Sequence, residues 1–244
     1  MRIPAVTMQC FEKKCFSGKK IPLNEDGIYE MYCLENHLSV FFYSCQKFEA
    51  LFEMGLLSFD DGYMRESVLN FTSSLERFYE FFIRVVSQDK VKKNFKNYLK
   101  LSERQLGAFF MTYFFAFDRF PENLDSKKIG RIEFKNFRNN VVHGGFFCSV
   151  GEAKEYGKII FNYIKTILDE LRKKYQKSFD IVIESDHLET FRKANNRQNN
   201  AACVARNGVF SELLGCENFD SAQKVLRNQN KIQMELFPEF FRGL

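Results

Sequence analysis

The stretch FRNNVVHGG, residues 137–145, holds the side chains of this chain that are best suited to chemistry. It contains one of only three histidines in 244 residues. Arg138 offers a permanent positive charge and a fork of donors that suits a phosphate, and the imidazole of His143 can take and give protons. The pair suits cleavage of RNA without a metal ion. The histidine would activate the 2′-hydroxyl or protonate the leaving oxygen, and the arginine would stabilise charge on the phosphorane.

The local pattern predicts a helix over residues 129–143 that ends at this histidine. Two glycines follow, as in a left-handed C-terminal cap, and the helix dipole at that end favours positive charge. Asn139 and His143 are four residues apart and share a face, whereas Arg138 and His143 are separated by about 140° around an ideal helix. A distortion, a long reach or a second protomer must therefore bring the two charges together.

The same spacing also fits a histidine that only caps a core helix. Under that interpretation, mutation of His143 would cost about 1 kcal/mol of stability and leave function intact. Other catalytic motifs offer no rival site, because the chain has no glycine-rich phosphate loop, no G-x-S-x-G elbow and no H-x-x-x-H pair.

The elements that must position this stretch are predicted to be helices. Residues 62–88 have apolar side chains at i, i+3 and i+7 spacing over about seven turns. A Phe-rich helix follows, and a helix over residues 152–176 comes after the histidine. Capping boxes open these last two helices at the pairs Ser102/Gln105 and Ser149/Glu152.

The sequence patterns at the two ends of the chain differ from those of its helical centre. GIYEMYC and LSVFFYS are short, β-branched and aromatic, which predicts an N-terminal hairpin. In the tail, FDIVIES predicts a short strand, and DHLETFRKANNRQ and DSAQKVLRNQNKIQMELF predict helices. We therefore predict a mainly α fold, a bundle of four to five helices with a small N-terminal β element and a helical C-terminal extension. The expected domains are residues 1–50, 51–177 and 178–244.

Composition limits the class of protein. The 30 Phe and the absence of Trp suggest a helical core filled by phenylalanine. A net charge of +5 is compatible with a polyanionic partner, but it is weak evidence for one. The longest aromatic run is too short to cross a bilayer, and the N-terminus has no apolar signal segment. We expect a cytoplasmic protein with reduced thiols and no membrane association.

Four soft ligands near the N-terminus occur in two close pairs, C-x4-C and C-x3-H. Cys10, Cys15, Cys33 and His37 could form a tetrahedral structural zinc site. The alternative is scattered free thiols, because cysteine is a frequent core residue.

The stretch FRNNVVHGG resembles the R-N-x-x-x-H element of the HEPN superfamily, the higher eukaryotes and prokaryotes nucleotide-binding domains. YMRESVLNFTSSLERFYEFFIRV resembles the long first helix of its abortive-infection and other defence-related members. VHGGFFCSVGEAKEYGKIIFNYI resembles their catalytic turn and final helix. The resemblance covers about residues 62–176 and includes motif, order and helix lengths.

This resemblance implies a HEPN-type helical bundle and a homodimer in which two Arg-His elements build one composite site. It implies a metal-independent endoribonuclease without a catalytic cofactor, acting on RNA in antiviral defence or as a toxin, with a possible regulatory or antitoxin partner. Arg138 and His143 would be the catalytic pair and Asn139 the supporting polar residue, while Glu76 or Arg77 would line the same cleft. The alternative is a non-catalytic HEPN-like module that binds a nucleotide or a partner.

Overall fold

The computed structural model of the chain describes residues 2–6, 18–88, 102–197, 202–205, 208–211 and 215–236. The chain divides into two units. Unit 1 comprises residues 1–45, 184–214 and 222–244, and unit 2 comprises residues 46–183 and 215–221. The short basic helix that DKVKKNFKNYLK suggests, over residues 89–100, lies outside the described residues.

Unit 2 is helical. For the chain as a whole, the predicted mainly α class with a small N-terminal hairpin, which lies in unit 1, is confirmed. Short elements precede the helix that carries the candidate site: a 3-10 turn and two-residue strands β5 and β6, which pair antiparallel. The helices are α1 (Lys47–Asp60), α2 (Met64–Ser87), α3 (Ser102–Phe117), α4 (Phe134–Val142) and the first part of α5 (Val150–Asn195), and the short elements are Leu124–Ser126, β5 (Lys128–Ile129) and β6 (Ile132–Glu133).

Phenylalanine fills the interior of unit 2, as the composition suggests. Phe71 of α2 lies between two glycines of neighbouring helices. A Cβ added to Gly55 of α1 would lie 2.4 Å from the Phe71 ring, and one added to Gly157 of α5 would lie 2.7 Å from it. The absence of both side chains therefore lets α1 and α5 approach the same ring. Besides Tyr113 and Tyr156, the largest fully buried rings of this core are all phenylalanines: Phe52, Phe71, Phe78, Phe82, Phe109, Phe137, Phe161 and Phe219.

Helix α4 begins at Phe134, so the prediction of a helix from residue 129 is wrong at its start. Gly130 has a φ of +58°, a left-handed conformation that turns the chain between β5 and β6 and cannot continue a right-handed helix. The helix begins only after this hairpin.

The predicted strand FDIVIES, residues 179–185, is also wrong, because these residues are helical within α5. These residues form a helix in spite of their β-branched side chains, because strand preference depends on the packing context of a segment. Helix α5 also continues far beyond the predicted end at residue 176. It is distorted at Tyr175, where φ is −126° and ψ is 29°, close to that predicted end.

Unit 1 contains the predicted hairpin, which is confirmed. Strand β3 (Ile28–Tyr32) pairs antiparallel with β4 (Leu38–Ser44), with Ile28 opposite Phe42. Strand β7 (Ala202–Ala205) adds in parallel to β4. A separate antiparallel ribbon joins β1 (Arg2–Val6) to β2 (Gly18–Pro22).

Successive side chains of the β3–β4 hairpin point to opposite faces and contribute to two small clusters. Tyr29, Met31, Phe41 and Tyr43 form one cluster; Ile28, Val40 and Phe42 pack with Ala194 of α5 in the other.

The predicted domain boundaries after residues 50 and 177 differ from this division. The tail is not a unit of its own, because its strand β7 completes the sheet of the N-terminal hairpin. Helix α6 (Phe219–Leu236) confirms the predicted C-terminal helix. Within the part of the chain that is described, no helix has the length and apolar character that crossing a membrane requires.

Candidate functional site

A buried stripe fixes α4 in unit 2. Phe134, Phe137 and Val141 are buried at i, i+3 and i+7, as the sequence predicts. The Phe134 ring stacks on Tyr156 of α5 with a centroid distance of 4.8 Å, and Phe137 lies 5.5 Å from the same ring. These contacts set the rotation of α4, and therefore the directions in which its polar side chains point.

Tyr156 is held in turn by a buried hydroxyl pair. The Thr72 hydroxyl donates to the backbone oxygen of Val68 over 2.8 Å and lies 2.8 Å from the Tyr156 hydroxyl. Because the single Thr72 proton is used on Val68, the tyrosine donates to Thr72. Burial raises the pKa of Tyr156, so the phenol keeps the proton that this hydrogen bond needs.

Arg138 faces α2 and forms an ion pair with Glu76. Its Nη2 donates to the Glu76 carboxylate over 2.9 Å. The side chains are 31% and 25% exposed, so the pair is partly shielded from water but open to a ligand. Of the two residues predicted to line the cleft, Glu76 therefore lies directly against a predicted catalytic residue.

Arg77, the other predicted cleft residue, faces a different helix. Its guanidinium contacts Glu80 at 2.9 Å and donates to Gln105 of α3 at 3.1 Å. The buried Gln105 amide donates back to Glu80 at 3.0 Å. Arg77 thus ties α2 to α3, and Gln105, which the sequence assigned to a capping box, is part of this network.

His143 follows the last residue of α4 and is exposed. Gly144 has no room for a side chain, because a Cβ there would lie 2.8 Å from the Asn140 backbone oxygen. Gly145 has a φ of +68°, and the chain then reverses so that the Phe146 amide donates to Asn140 at 3.0 Å. The predicted glycine cap is present, and it holds the imidazole at an open helix end.

Asn139 acts through its backbone at this helix end. Its carbonyl oxygen accepts the amides of His143 at 2.9 Å and of Gly144 at 3.2 Å, while its side chain is half-buried. Arg138 and His143 thus leave α4 in different directions, one toward α2 and one toward solvent. The sequence had identified this separation as a difficulty for a site within one chain.

The second predicted capping box is confirmed directly after the site. The Ser149 amide donates to the Glu152 carboxylate at 2.8 Å, and the Glu152 amide donates back to the Ser149 hydroxyl at 3.3 Å. This reciprocal pair fixes the start of α5. The connection between α4 and α5 is therefore held at both ends.

Two further groups beside the site were not singled out from the sequence. Lys128, Arg131 and Lys135 are exposed cations at and before the start of α4. Phe147 is 85% exposed and Val150 is 58% exposed, in the segment that the sequence described only as a short loop and a helix start. The available signal was a pair of adjacent phenylalanines that belongs neither to a helical apolar period nor to a predicted strand.

The predicted zinc ligands are only partly described. Cys33 and His37 lie at the ends of the β3–β4 connection, with Sγ and Nδ1 3.4 Å apart, whereas Cys10 and Cys15 lie outside the described residues. Over the described ranges, no group of three or more His, Cys, Asp and Glu side chains converges as metal ligands do.

Comparison of the chain with family models, with curated proteins and with solved structures gives no match.

Proposed function

We propose that this chain is a metal-independent endoribonuclease of the HEPN type, with His143 and Arg138 as its catalytic pair. The observation that carries the proposal is the arrangement of α4. One helix holds a guanidinium oriented by a carboxylate and ends in an exposed imidazole on a rigid glycine cap. An imidazole can transfer protons and a guanidinium can stabilise charge on a phosphate, so the two groups supply the functions that RNA cleavage needs.

The proposed reaction is a transesterification within the RNA strand. The 2′-oxygen loses its proton to an imidazole and attacks the adjacent phosphorus. The bond from phosphorus to the 5′-oxygen breaks, and that oxygen takes a proton from an imidazolium. The products are a 2′,3′-cyclic phosphate and a 5′-hydroxyl end, and Arg138 neutralises charge on the phosphorane.

A homodimer supplies what one protomer lacks. The reaction needs one base and one acid on opposite sides of the phosphate, whereas each chain presents one imidazole at the end of α4. Two copies related by a two-fold axis would bring two imidazoles to one phosphate. The exposed Phe147 and Val150 beside this helix end would contribute to that contact or to stacking with a base.

Glu76 would hold Arg138 in its orientation and lower its net charge before RNA binds. Exposed Lys128, Arg131 and Lys135 would attract the phosphate backbone toward α4. We place the activity in the cytoplasm, in antiviral defence or growth arrest of the host cell, under the control of a regulatory or antitoxin partner.

The test is RNA cleavage by purified protein in EDTA, with His143→Ala and Arg138→Ala as the active-site variants. Asn140→Ala is the matched control, because Asn140 is an exposed neighbour on the same helix. We expect loss of about 10²–10⁴-fold in rate for His143→Ala and near wild-type rates for the control. Cleavage that persists undiminished in His143→Ala would refute the assignment of that residue.

The second candidate is a non-catalytic module that binds a nucleotide or a partner protein. The observation that favours it is the occupation of the Arg138 guanidinium by Glu76. This candidate predicts saturable binding without RNA loss under any trigger. Comparing growth arrest on expression between wild type and Arg138→Ala separates the two, since only the enzyme loses toxicity through that substitution.

A further inference from the structure

Phe147 is the most exposed large apolar side chain of the described residues, with 85% of its surface open to solvent. The residues on both sides of it are held in place. The Phe146 ring packs edge-on against the buried Phe137 ring, with the two centroids 6.3 Å apart. Cys148 is buried, and Ser149 belongs to the capping box of α5. The segment between α4 and α5 therefore displays one aromatic ring from a fixed backbone.

A ring displayed in this way is prepared for stacking. A phenylalanine side chain has only two torsions, so it loses little conformational entropy when a partner covers it. Because the backbone beneath Phe147 is already ordered, binding does not have to order a loop as well. The position therefore combines an aromatic face with a low entropic cost of covering it.

The small size of the exposed apolar group indicates the kind of partner. Phe146, Phe147 and Val150 are the large apolar side chains exposed between α4 and the start of α5, and Phe146 is only 36% exposed. Complete burial of an aromatic side chain removes roughly 150–250 Å² from water, whereas a specific protein interface buries about 1,200–2,000 Å². These side chains fall well short of a protein contact of that size. A nucleobase, in contrast, needs the face of one ring.

The charges at the other end of α4 favour the same partner. Lys128, Arg131 and Lys135 are exposed, and within the described residues none of them forms an ion pair. Lys127, directly before them, is paired with Glu122. Lysine is depleted at protein–protein interfaces, whereas cations without a protein partner suit a phosphate backbone.

The order of these groups along α4 matches a strand of nucleic acid that runs beside the helix. The cationic hairpin at the start of α4 is fixed, because the Gly130 amide donates to the Glu155 carboxylate of α5 at 3.0 Å. Lys135 and His143 are eight residues apart, about 12 Å along the helix axis, and Phe147 follows the glycine cap. A strand in this direction would meet the cations first, then the imidazole and then the aromatic ring.

We propose that Phe147 stacks on a nucleobase of single-stranded RNA next to the phosphate that is cleaved, while the three cations bind the strand on the other side of that phosphate. This subsite rests on the proposed function and specifies its substrate class. In a duplex each base is already stacked between its neighbours, whereas an unpaired base can turn out onto an aromatic side chain. Every base has a π-face, so we expect a preference for unpaired RNA and not for one sequence.

The first experiment uses the absence of tryptophan from the chain. Phe147→Trp introduces a single fluorophore at the subsite and keeps an aromatic ring there. Titration with a fully 2′-O-methylated RNA strand, which lacks the attacking hydroxyl, should quench this fluorescence saturably, and the same strand in a blunt duplex should cause little quenching. Phe115→Trp is the matched control and should not respond, because Phe115 of α3 is 72% exposed but lies outside α4 and its cap.

The second experiment measures binding of the same methylated strand by fluorescence anisotropy. Phe147→Ala should weaken binding about 5- to 100-fold. Phe147→Leu should also weaken it, because an aliphatic side chain cannot stack on a base, whereas Phe147→Trp should bind at least as tightly as wild type. Phe115→Ala is the control and should bind as wild type does.

Wild-type binding by Phe147→Ala would overturn the subsite, as would equal quenching of Phe147→Trp by the single strand and the duplex. Fluorescence of Phe147→Trp that shifts with protein concentration in the absence of RNA would also overturn it, because the ring would then lie in a protein contact. The proposed cleavage has its own readout. Cleavage that depends on His143 without stacking would refute the subsite alone, and stacking without cleavage of the unmethylated strand would refute the enzyme alone.

Discussion

The guanidinium of Arg138 in α4 donates to the carboxylate of Glu76 in α2 across 2.9 Å. This ion pair connects the two helices that the resemblance had linked only through their order in the chain. It also means that the proposed phosphate ligand is already engaged. An incoming phosphate must therefore compete with Glu76 or share the guanidinium with it. The strength of the Arg138–Glu76 ion pair therefore affects how tightly the site can bind RNA.

Replacing Glu76 by Gln should strengthen RNA binding while it slows cleavage. The amide keeps the shape of the side chain but removes the charge that offsets Arg138, so binding of a non-cleavable 2′-deoxy oligonucleotide should tighten several-fold, by about 1 kcal/mol. The cleavage rate should fall because the guanidinium loses its orientation. The measurements are binding by fluorescence anisotropy and single-turnover rates.

Glu80→Gln is the matched control for that experiment, since Glu80 lies on the same helix but pairs with Arg77. It should leave both RNA measurements unchanged. The unfolding free energy should change by less than about 1 kcal/mol in Glu76→Gln, because the ion pair is partly exposed. Equal effects of the two substitutions on RNA binding would contradict a specific role of Glu76.

Mixing wild-type and inactive protomers tests whether the site takes one histidine from each chain. After subunit exchange with an equal amount of His143→Ala, random pairing leaves about one quarter of the dimers with two imidazoles. Activity should fall to about that fraction if both are required. A fall to only one half would show that each protomer acts alone, and sedimentation would verify that the chain is a dimer.

Alanine at Gly145 should destabilise the chain and displace His143. The φ of +68° costs an alanine about 1 kcal/mol, and relief of that strain would shift the end of α4, so cleavage should fall. Gly107→Ala is the control, because this glycine of α3 has open space around the added Cβ. That change should stabilise the chain by about 0.5–1 kcal/mol and leave cleavage intact. Urea unfolding and cleavage rates provide the measurements.

Glu49 of α1 should make the stability of unit 2 depend on pH. Burial raises the pKa of Glu49 from 4.5 to about 7, with Glu53 acting in the same direction and with the Gln46 amide and Arg172 opposing it. A raised pKa means that the folded chain holds this proton more tightly than the unfolded chain. The contribution to stability is therefore largest below about pH 4.5, decreases as the pH rises to about 7 and stays low above it.

Glu49→Gln should remove this dependence. Gln46 and Glu49 form a capping box at the start of α1, in which the Gln46 amide donates to the Glu49 carboxylate at 3.2 Å, and glutamine also suits the Glu49 position of such a box. The variant should gain stability relative to wild type at pH 8 but not at pH 4.5, as measured by urea unfolding. Glu217→Gln serves as the control because Glu217 is exposed. An unchanged pH profile in Glu49→Gln would show that another group is responsible.

Local patterns in the sequence predicted much of the frame around the site. The apolar period of α2, the Ser149/Glu152 capping box and the buried stripe of α4 each depend on residues within a few turns, and each is present in the structure. Helix α1 was missed although Phe48, Phe52 and Leu56 follow an i, i+4, i+8 period. Its N-cap position is Gln46, so the usual Ser, Thr, Asp or Asn that marks a helix start is absent there.

The site itself depends on contacts between residues that are distant in the chain. Such contacts could not be predicted from local sequence patterns. Glu76 and Arg77 are neighbours on α2, separated by about 100° around the helix, and both are charged. Which of them meets α4 was decided by the packing of Phe-rich faces, which turned Glu76 toward Arg138 and Arg77 toward Gln105. Likewise, the left-handed Gly130 delayed the start of α4 although the residues around it fit a helical period.

The parallel pairing of β4 with β7 has a consequence for how the chain is made. Phe41 lies opposite Ala202, so the third strand of the sheet is synthesised long after the first two. Helices α1 to α4 can associate while the tail is still being translated, because their contacts are closer in sequence. The N-terminal hairpin must meanwhile keep an unpaired strand edge exposed, and such an edge invites pairing with other chains. Delayed or interrupted synthesis would therefore favour misassembly at this exposed strand edge of unit 1.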